Sequence, residues 1–238
     1  MTTQLAKSLI FLVGLFLPFC AAADLCKDSS PHDALTVFLV DVTESSSFGD
    51  NYKGTVQVLE QQLAQKERLL VAPVSDKRAN STVLLDIVKP EESIWESKLA
   101  IMKRQKVYRD CVGSLMSLTP QKEKKALSSA ILETLKFLEE ILKVSTANKK
   151  RLVIYSDMIQ NSEALSLYKI GSKDTAKTLL AKVQEKHLVP DLKGIEISIA
   201  GIGGTQTDTQ ARITEEFWRE LFAHAGASVK YYGPVLVK

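Results

Sequence analysis

The chain is poorly supplied with the residues most enzyme sites are built from. Among 238 residues there are three histidines and three cysteines. His32 sits near the expected mature terminus. His187 and His224 fall late in helical stretches or in the turns after them, where imidazole complements the helix dipole. None is placed as a general base, and neither Cys26 nor Cys111 has a nearby histidine to mark it as a thiol nucleophile. No G-x-S-x-G segment occurs. The glycine loop in "AGIGGTQTDT" lacks the third glycine of G-x-G-x-x-G and reads as a rim loop that contacts a partner. An excess of one charge is missing as well: 31 Lys+Arg stand against 28 Asp+Glu, which gives no electrostatic case for nucleic acid or an acidic membrane. The basic runs "MKRQK", "KEKK" and "NKKR" read as solvated helix ends. No internal repeat, low-complexity tract or Pro/Gly-rich linker divides the chain, and 45% hydrophobic content suffices for one well-packed domain.

Long apolar runs are scarce too. In "MTTQLAKSLIFLVGLFLPFCAAA" the uncharged stretch after Lys7, Ser8 to Ala23, is 16 residues long, short of the roughly 18 expected of a membrane span. With small residues at Ala21–Ala23 it has the pattern of a secretory signal peptide cleaved before Asp24; a retained anchor is the alternative. Removal leaves 215 residues, 30 Lys+Arg against 28 Asp+Glu, and two cysteines, Cys26 and Cys111. In an oxidising compartment these can pair and close a long loop, worth about 2–4 kcal/mol, or they remain free buried thiols. The expected organisation is a signal peptide over 1–23, an N-terminal segment over 24–33 and one domain over 34–238. The product is exported, periplasmic or secreted, with no stable membrane span after cleavage.

What the chain does contain is an alternation of strands and helices. Strands are predicted at Ala34–Asp41, Glu67–Ser75, Ser81–Val88, Lys150–Asp157, Gly194–Gly204 and Ala227–Gly233. The first is apolar throughout, as befits a strand covered on both faces, and the third suits an antiparallel edge. Helices are predicted at Asn51–Gln65, Ser93–Met116, Pro120–Val144, Lys173–Lys186 and Thr207–Ala225. In the third of these, Thr119 is placed to cap and Leu127, Ile131, Leu135, Leu138 and Leu142 form a stripe. Phe217 and Trp218 read as core. The pattern implies a single α/β domain, a doubly wound and mostly parallel central sheet flanked by helices. Ligands of such sheets bind beyond the carboxyl ends of the strands, which here carry Asp41, Asp157 and the Gly201–Gly204 loop.

In "FLVDVTESSS", Asp41, Thr43 and Ser45 alternate where the first strand ends. They offer three oxygens to one side, as a hard divalent cation requires. Asp157 in "RLVIYSDM" ends a second strand. The first stretch resembles the metal-ion-dependent adhesion motif D-x-S/T-x-S of von Willebrand factor A-like (vWA) domains, and the second resembles that fold's later strand with its second acid. The resemblance spans Ala34 to about Val237. It implies a doubly wound, Rossmann-like sheet with a cation, Mg²⁺ or else Mn²⁺ or Ca²⁺, at its top. The implied ligands are Asp41, Thr43, Ser45 and Asp157, and a partner's carboxylate completes the coordination. The family's middle threonine has no direct counterpart: Lys125 stands about there, with Thr119, Ser128 and Ser129 as substitutes. Met158 replaces a common glycine, and Glu44 a small residue. Read without the resemblance, the same residues cap the next helix, and Asp157, with Asn161 and Ser162, forms a turn.

Two functions follow. One is a non-enzymatic module that binds another protein, in an envelope or transfer assembly, through its strand-end face. The other is a metal-dependent hydrolase or phosphatase using Asp41 and Asp157, for which no general base is evident.

Overall fold

The computed structural model describes residues 26–28, 30–42, 49–74, 83–117, 129–171, 173–203 and 207–237. In chain order the elements are β1 (Ala34–Val40), α1 (Asp50–Gln62), β2 (Glu67–Pro73), β3 (Leu85–Val88), α2 (Lys98–Leu115) and α3 (Ile131–Val144). They continue with β4 (Lys149–Tyr155), a 3₁₀ turn (Leu167–Lys169), α4 (Ala176–Glu185), β5 (Glu196–Ala200), α5 (Asp208–His224) and β6 (Ser228–Tyr232). The strands form one sheet in the order β3-β2-β1-β4-β5-β6. Every pairing is parallel except β2 with β3, so the segment ending at Val88 is the antiparallel edge strand its sequence suggests.

β1 lies at the centre, paired along its whole length with β2 on one side and β4 on the other. Alternate side chains of a strand face opposite ways. Leu35, Val37 and Leu39 enter the layer packed by α3, α4 and α5, and Phe38 and Val40 enter the layer packed by α1 and α2. Two covered faces explain why "ALTVFLV" shows no polar alternation. Phe217 and Trp218 of α5 are fully buried in the first layer.

The third predicted helix starts later than its sequence suggests. α3 begins at Ile131 with Ala130 as its N-cap, and Ser129 and Ala130 are not helical. The Ala130 carbonyl accepts both the Thr134 N–H at 3.0 Å and the Thr134 hydroxyl at 2.9 Å, while the Ser129 hydroxyl is taken by Asp41, 88 positions away in the chain. Thr119, Pro120 and Leu127 lie outside the described residues.

Cys26 and Cys111 form a disulfide with Cα atoms 5.7 Å apart. The N-terminal segment therefore reaches the free edge of β3. Lys27 makes a parallel bridge to Asp86, the Asp28 N–H donates to the Asp86 carbonyl at 2.7 Å, and the Asp86 N–H donates to the Cys26 carbonyl at 3.1 Å. This covers backbone that would otherwise be open to pairing with another chain.

At the amino end of the central strands, Thr36, Glu67 and Arg151 meet in a buried polar cluster. Arg151 Nε donates to Glu67 Oε1 at 3.0 Å and Nη2 donates to the Gln62 carbonyl at 3.1 Å. The Ala64 N–H donates to Glu67 Oε2 at 2.7 Å, and the Thr36 hydroxyl bonds both Glu67 and Arg151. On the outer side of α3, Glu139 collects Lys136, Lys143 and the Asp191 N–H. Burial pushes its carboxyl up, but the two lysines and the N–H outweigh this and hold it at about 2.

Removing one partner of a buried ion pair costs about 3–5 kcal/mol, whereas replacing both by apolar groups costs far less. Arg151→Ala is therefore expected to lower the urea-denaturation free energy by that amount, and Arg151→Met combined with Glu67→Leu to recover most of it. Glu139 contributes stability that is full above its unfolded value near 4.5 and is lost as pH falls toward about 2. The stability gap between wild type and Glu139→Gln, measured by denaturation across that range, should close as pH is lowered.

Candidate functional site at the carboxyl ends of β1 and β4

From β1 the chain builds outward through β2 to β3, then crosses to the other side of β1 to make β4. The reversal of strand order falls between β1 and β4, and in open α/β sheets the crevice beyond the carboxyl ends at this switch point is where ligands bind. Val40 is in register with Tyr155, and the Asp41 N–H donates to the Tyr155 carbonyl at 2.9 Å. Asp41 and Ser156 are thus the first residues past the ladder.

The Asp41 side chain is 2% exposed. Its Oδ2 accepts the hydroxyl of Ser129, from the segment leading into α3, at 2.9 Å. The same oxygen accepts the hydroxyl of Ser156, just past β4, also at 2.9 Å. A carboxylate removed from water needs such donors, and here they come from two separate segments. Ser129, one of the three hydroxyls considered as substitutes in the sequence, is brought to Asp41. Lys125, Thr119 and Ser128 lie outside the described residues, as do Thr43, Glu44 and Ser45. The cap of α1 is Gly49, without a side-chain hydrogen bond.

Asp157, one residue beyond Ser156, is half-buried, and its Oδ1 accepts the Ile159 N–H at 2.9 Å. This is the turn chemistry its neighbours suggest, made at the same end of the sheet as Asp41. Met158 follows at φ 64°, a left-handed conformation, although it is fully buried. The position favours glycine; here it is held because the Met158 N–H donates to the Ser156 hydroxyl at 3.0 Å and its carbonyl accepts Trp218 Nε1 at 2.7 Å.

A second set of polar groups ties the loop after β4 to the start of α3, and sequence reasoning missed it. Gln160 is fully buried; its Oε1 accepts the Leu132 N–H at 3.0 Å, and its Nε2 donates to Glu133 Oε2 at 3.0 Å. The Ser162 hydroxyl donates to Glu133 Oε1 at 2.6 Å, and the Asn161 N–H donates to the Ser129 carbonyl at 2.9 Å. Ser129 and Ser156 are consequently carried on braced loops. The "YSD" triplet holds the only hint of Ser156, a hydroxyl in register with Asp41.

The donor set at Asp41, Ser129, Ser156 and Asp157 is all oxygen, the kind a hard cation takes. Among the described residues no three His, Cys, Asp or Glu side chains are grouped to hold a metal, so a cation here would depend on hydroxyls. The three histidines lie elsewhere: His32 before β1, His187 in the turn after α4, and His224 at the last position of α5.

The fold defines the class of protein as a doubly wound open α/β sheet with a polar switch point. No family model and no curated protein matches the chain. Among solved structures it is similar to the minor pilin PilB of Streptococcus sanguinis, at 11% identity and a TM-score of 0.47, over 87% of this chain and 58% of that one. It is also similar to the pilus adhesin SpaC of Lactobacillus rhamnosus GG in an open conformation, at 13% identity and a TM-score of 0.44, over 84% of this chain and 30% of that one. A third is the N-terminal domain of TFIIH p34, at 12% identity and a TM-score of 0.29, over 84% and 99% of the two chains. The chain thus spans 58% and 30% of the pilin and adhesin structures. Likeness at this level decides nothing about function, and the fold class rests on the strand order itself.

The loop after β5 closes on the site through Gly201, at φ 91°, where a Cβ would stand 3.0 Å from the Ser156 backbone nitrogen. Gly201→Ala combines a disfavoured φ with a backbone clash and should destabilise by about 1–3 kcal/mol in chemical denaturation.

Proposed function

We propose that the chain is an exported, non-enzymatic protein-interaction module of the vWA-like type. It binds a partner protein through the strand-end face around Asp41, with a bridging divalent cation. The observation that carries this reading is the convergence on one buried carboxylate, at the switch point of the sheet, of hydroxyls from two other segments. Asp41, Ser129, Ser156 and Asp157, with Thr43 and Ser45 of the sequence motif, would hold the cation, Mg²⁺ by preference for hard oxygen ligands. The bound ion would offer a Lewis-acidic position to a carboxylate of the partner. Export is supported by the signal-like pattern of residues 1–23 and by the Cys26–Cys111 disulfide, a bond that persists in oxidising compartments. Among the described residues no helix is long and apolar enough to cross a membrane.

A cation that binds only the folded state stabilises it by about 2.7 kcal/mol at a concentration 100 times its Kd. Thermal unfolding of the chain from Asp24 onward should therefore shift upward with Mg²⁺ or Mn²⁺. Asp41→Ala should keep its far-UV circular dichroism and lose the shift. No response to Mg²⁺, Mn²⁺ or Ca²⁺ in the wild type would exclude the cation part of the proposal.

A further inference from the structure

At the opposite end of the sheet lies a groove of about 390 Å³ between α2, the end of β3 and the N-terminal segment. Its walls carry five cationic side chains, Lys27, Lys66, Lys89, Lys103 and Arg104, against two acids, Asp28 and Glu91. An excess of three positive charges in one groove equals the +3 of the entire 238-residue chain. Lys66 pairs with Glu91 at 2.8 Å and Arg104 with Glu96. Lys89, however, is held by the Leu63 carbonyl at 2.7 Å, a contact that leaves its charge in place, and Lys103 makes no ion pair among the described residues.

Tyr108 also lines the groove. It is 5% exposed, and its hydroxyl is buried with no hydrogen-bond partner among the described residues. Burial, with the charges of Glu60 and Glu67, raises its pKa, so the phenol stays protonated. Along α2, Leu99 and Val107 flank Lys103 at four-residue steps and are 62% and 38% exposed, which places apolar surface beside the cation on one helix face.

The disulfide assembles these walls. Lys27 and Asp28 directly follow Cys26, and Tyr108 lies one helical turn before Cys111, so the Cys26–Cys111 bond clamps the N-terminal wall to the helical one.

We infer that this groove is a second docking site, one that takes a partner-protein segment in which carboxylate side chains alternate with apolar ones. The carboxylates meet Lys103 and Lys89, and the apolar side chains lie along Leu99 and Val107. Electrostatic complementarity of this kind selects partners and is weakened by salt. The site is independent of Asp41.

The probe is the peptide acetyl-Glu-Leu-Glu-Glu-Leu-Glu-amide, titrated into the ¹⁵N-labelled exported chain in EDTA, so that no cation at Asp41 contributes. The expected result is saturable shifts at the amides of Lys66, Lys89, Lys103, Val107 and Tyr108. Affinity should fall at least about tenfold in Lys103→Glu and on raising salt from about 50 to about 300 mM. An absence of shifts, equal binding of the peptide with lysines in place of glutamates, or full affinity in Lys103→Glu would overturn the assignment. Lys103-dependent sedimentation with phosphatidylserine vesicles, without peptide binding, would overturn it in favour of an anionic lipid surface.

Discussion

Strand β1 is hydrogen-bonded along both edges and covered on both faces, and the rest of the molecule is arranged around that enclosure. Every residue from Leu35 to Val40 is fully buried, so a polar side chain on this strand must find its partners inside the protein. The strand can present chemistry only at its ends. Both ends do, by different means: Glu67 meets a guanidinium beside Thr36, while Asp41 meets serine hydroxyls.

That difference separates a closed cluster from one that suits a ligand. A guanidinium spreads several donors in a plane, and with the Ala64 N–H and the Thr36 hydroxyl it satisfies the Glu67 carboxylate, while its remaining N–H groups go to Gln62, so the amino-end cluster is closed. Hydroxyls can accept as well as donate, and a carboxylate ringed by them suits an oxygen-lined site. The bracing of Ser129 and Ser156 through Gln160, Glu133 and Ser162 puts these loop-borne parts of the site on a shared hydrogen-bonded frame. Such support is what a recognition site needs if its groups are to be in place before a ligand arrives.

The edge of the sheet poses a second constraint. β3 is short and antiparallel, and its outer side would be exposed backbone were it not covered by Cys26–Asp28. Fastening that cover to α2 by a disulfide leaves a basic groove beneath it. The protein thus has two polar features at opposite ends, one created by the switch in strand order and the other by the way its edge is closed.

Much of this was legible beforehand. The apolar run of β1, the antiparallel edge strand, the burial of Phe217 and Trp218, and the strand-end placement of Asp41 and Asp157 are local or periodic properties, because side-chain burial alternates or repeats along one segment. The start of α3 was not, since Leu127 fits the helical stripe and only the use of Ser129 by Asp41 shows that the helix begins at Ile131. Ser129 was one candidate among three, and Ser156 and Gln160 were hidden for the same reason: each is an ordinary polar residue whose role is defined by a group 115 or 28 positions away in the chain. The amino-acid sequence by itself determined the elements, their order and the acids at the strand ends, because propensity and periodicity act over a few residues. Which hydroxyls meet Asp41, that Cys26 bonds Cys111, and where five cations gather around Tyr108 were decided by tertiary structure alone, because packing of the sheet and its helices is what brings distant segments within hydrogen-bonding reach.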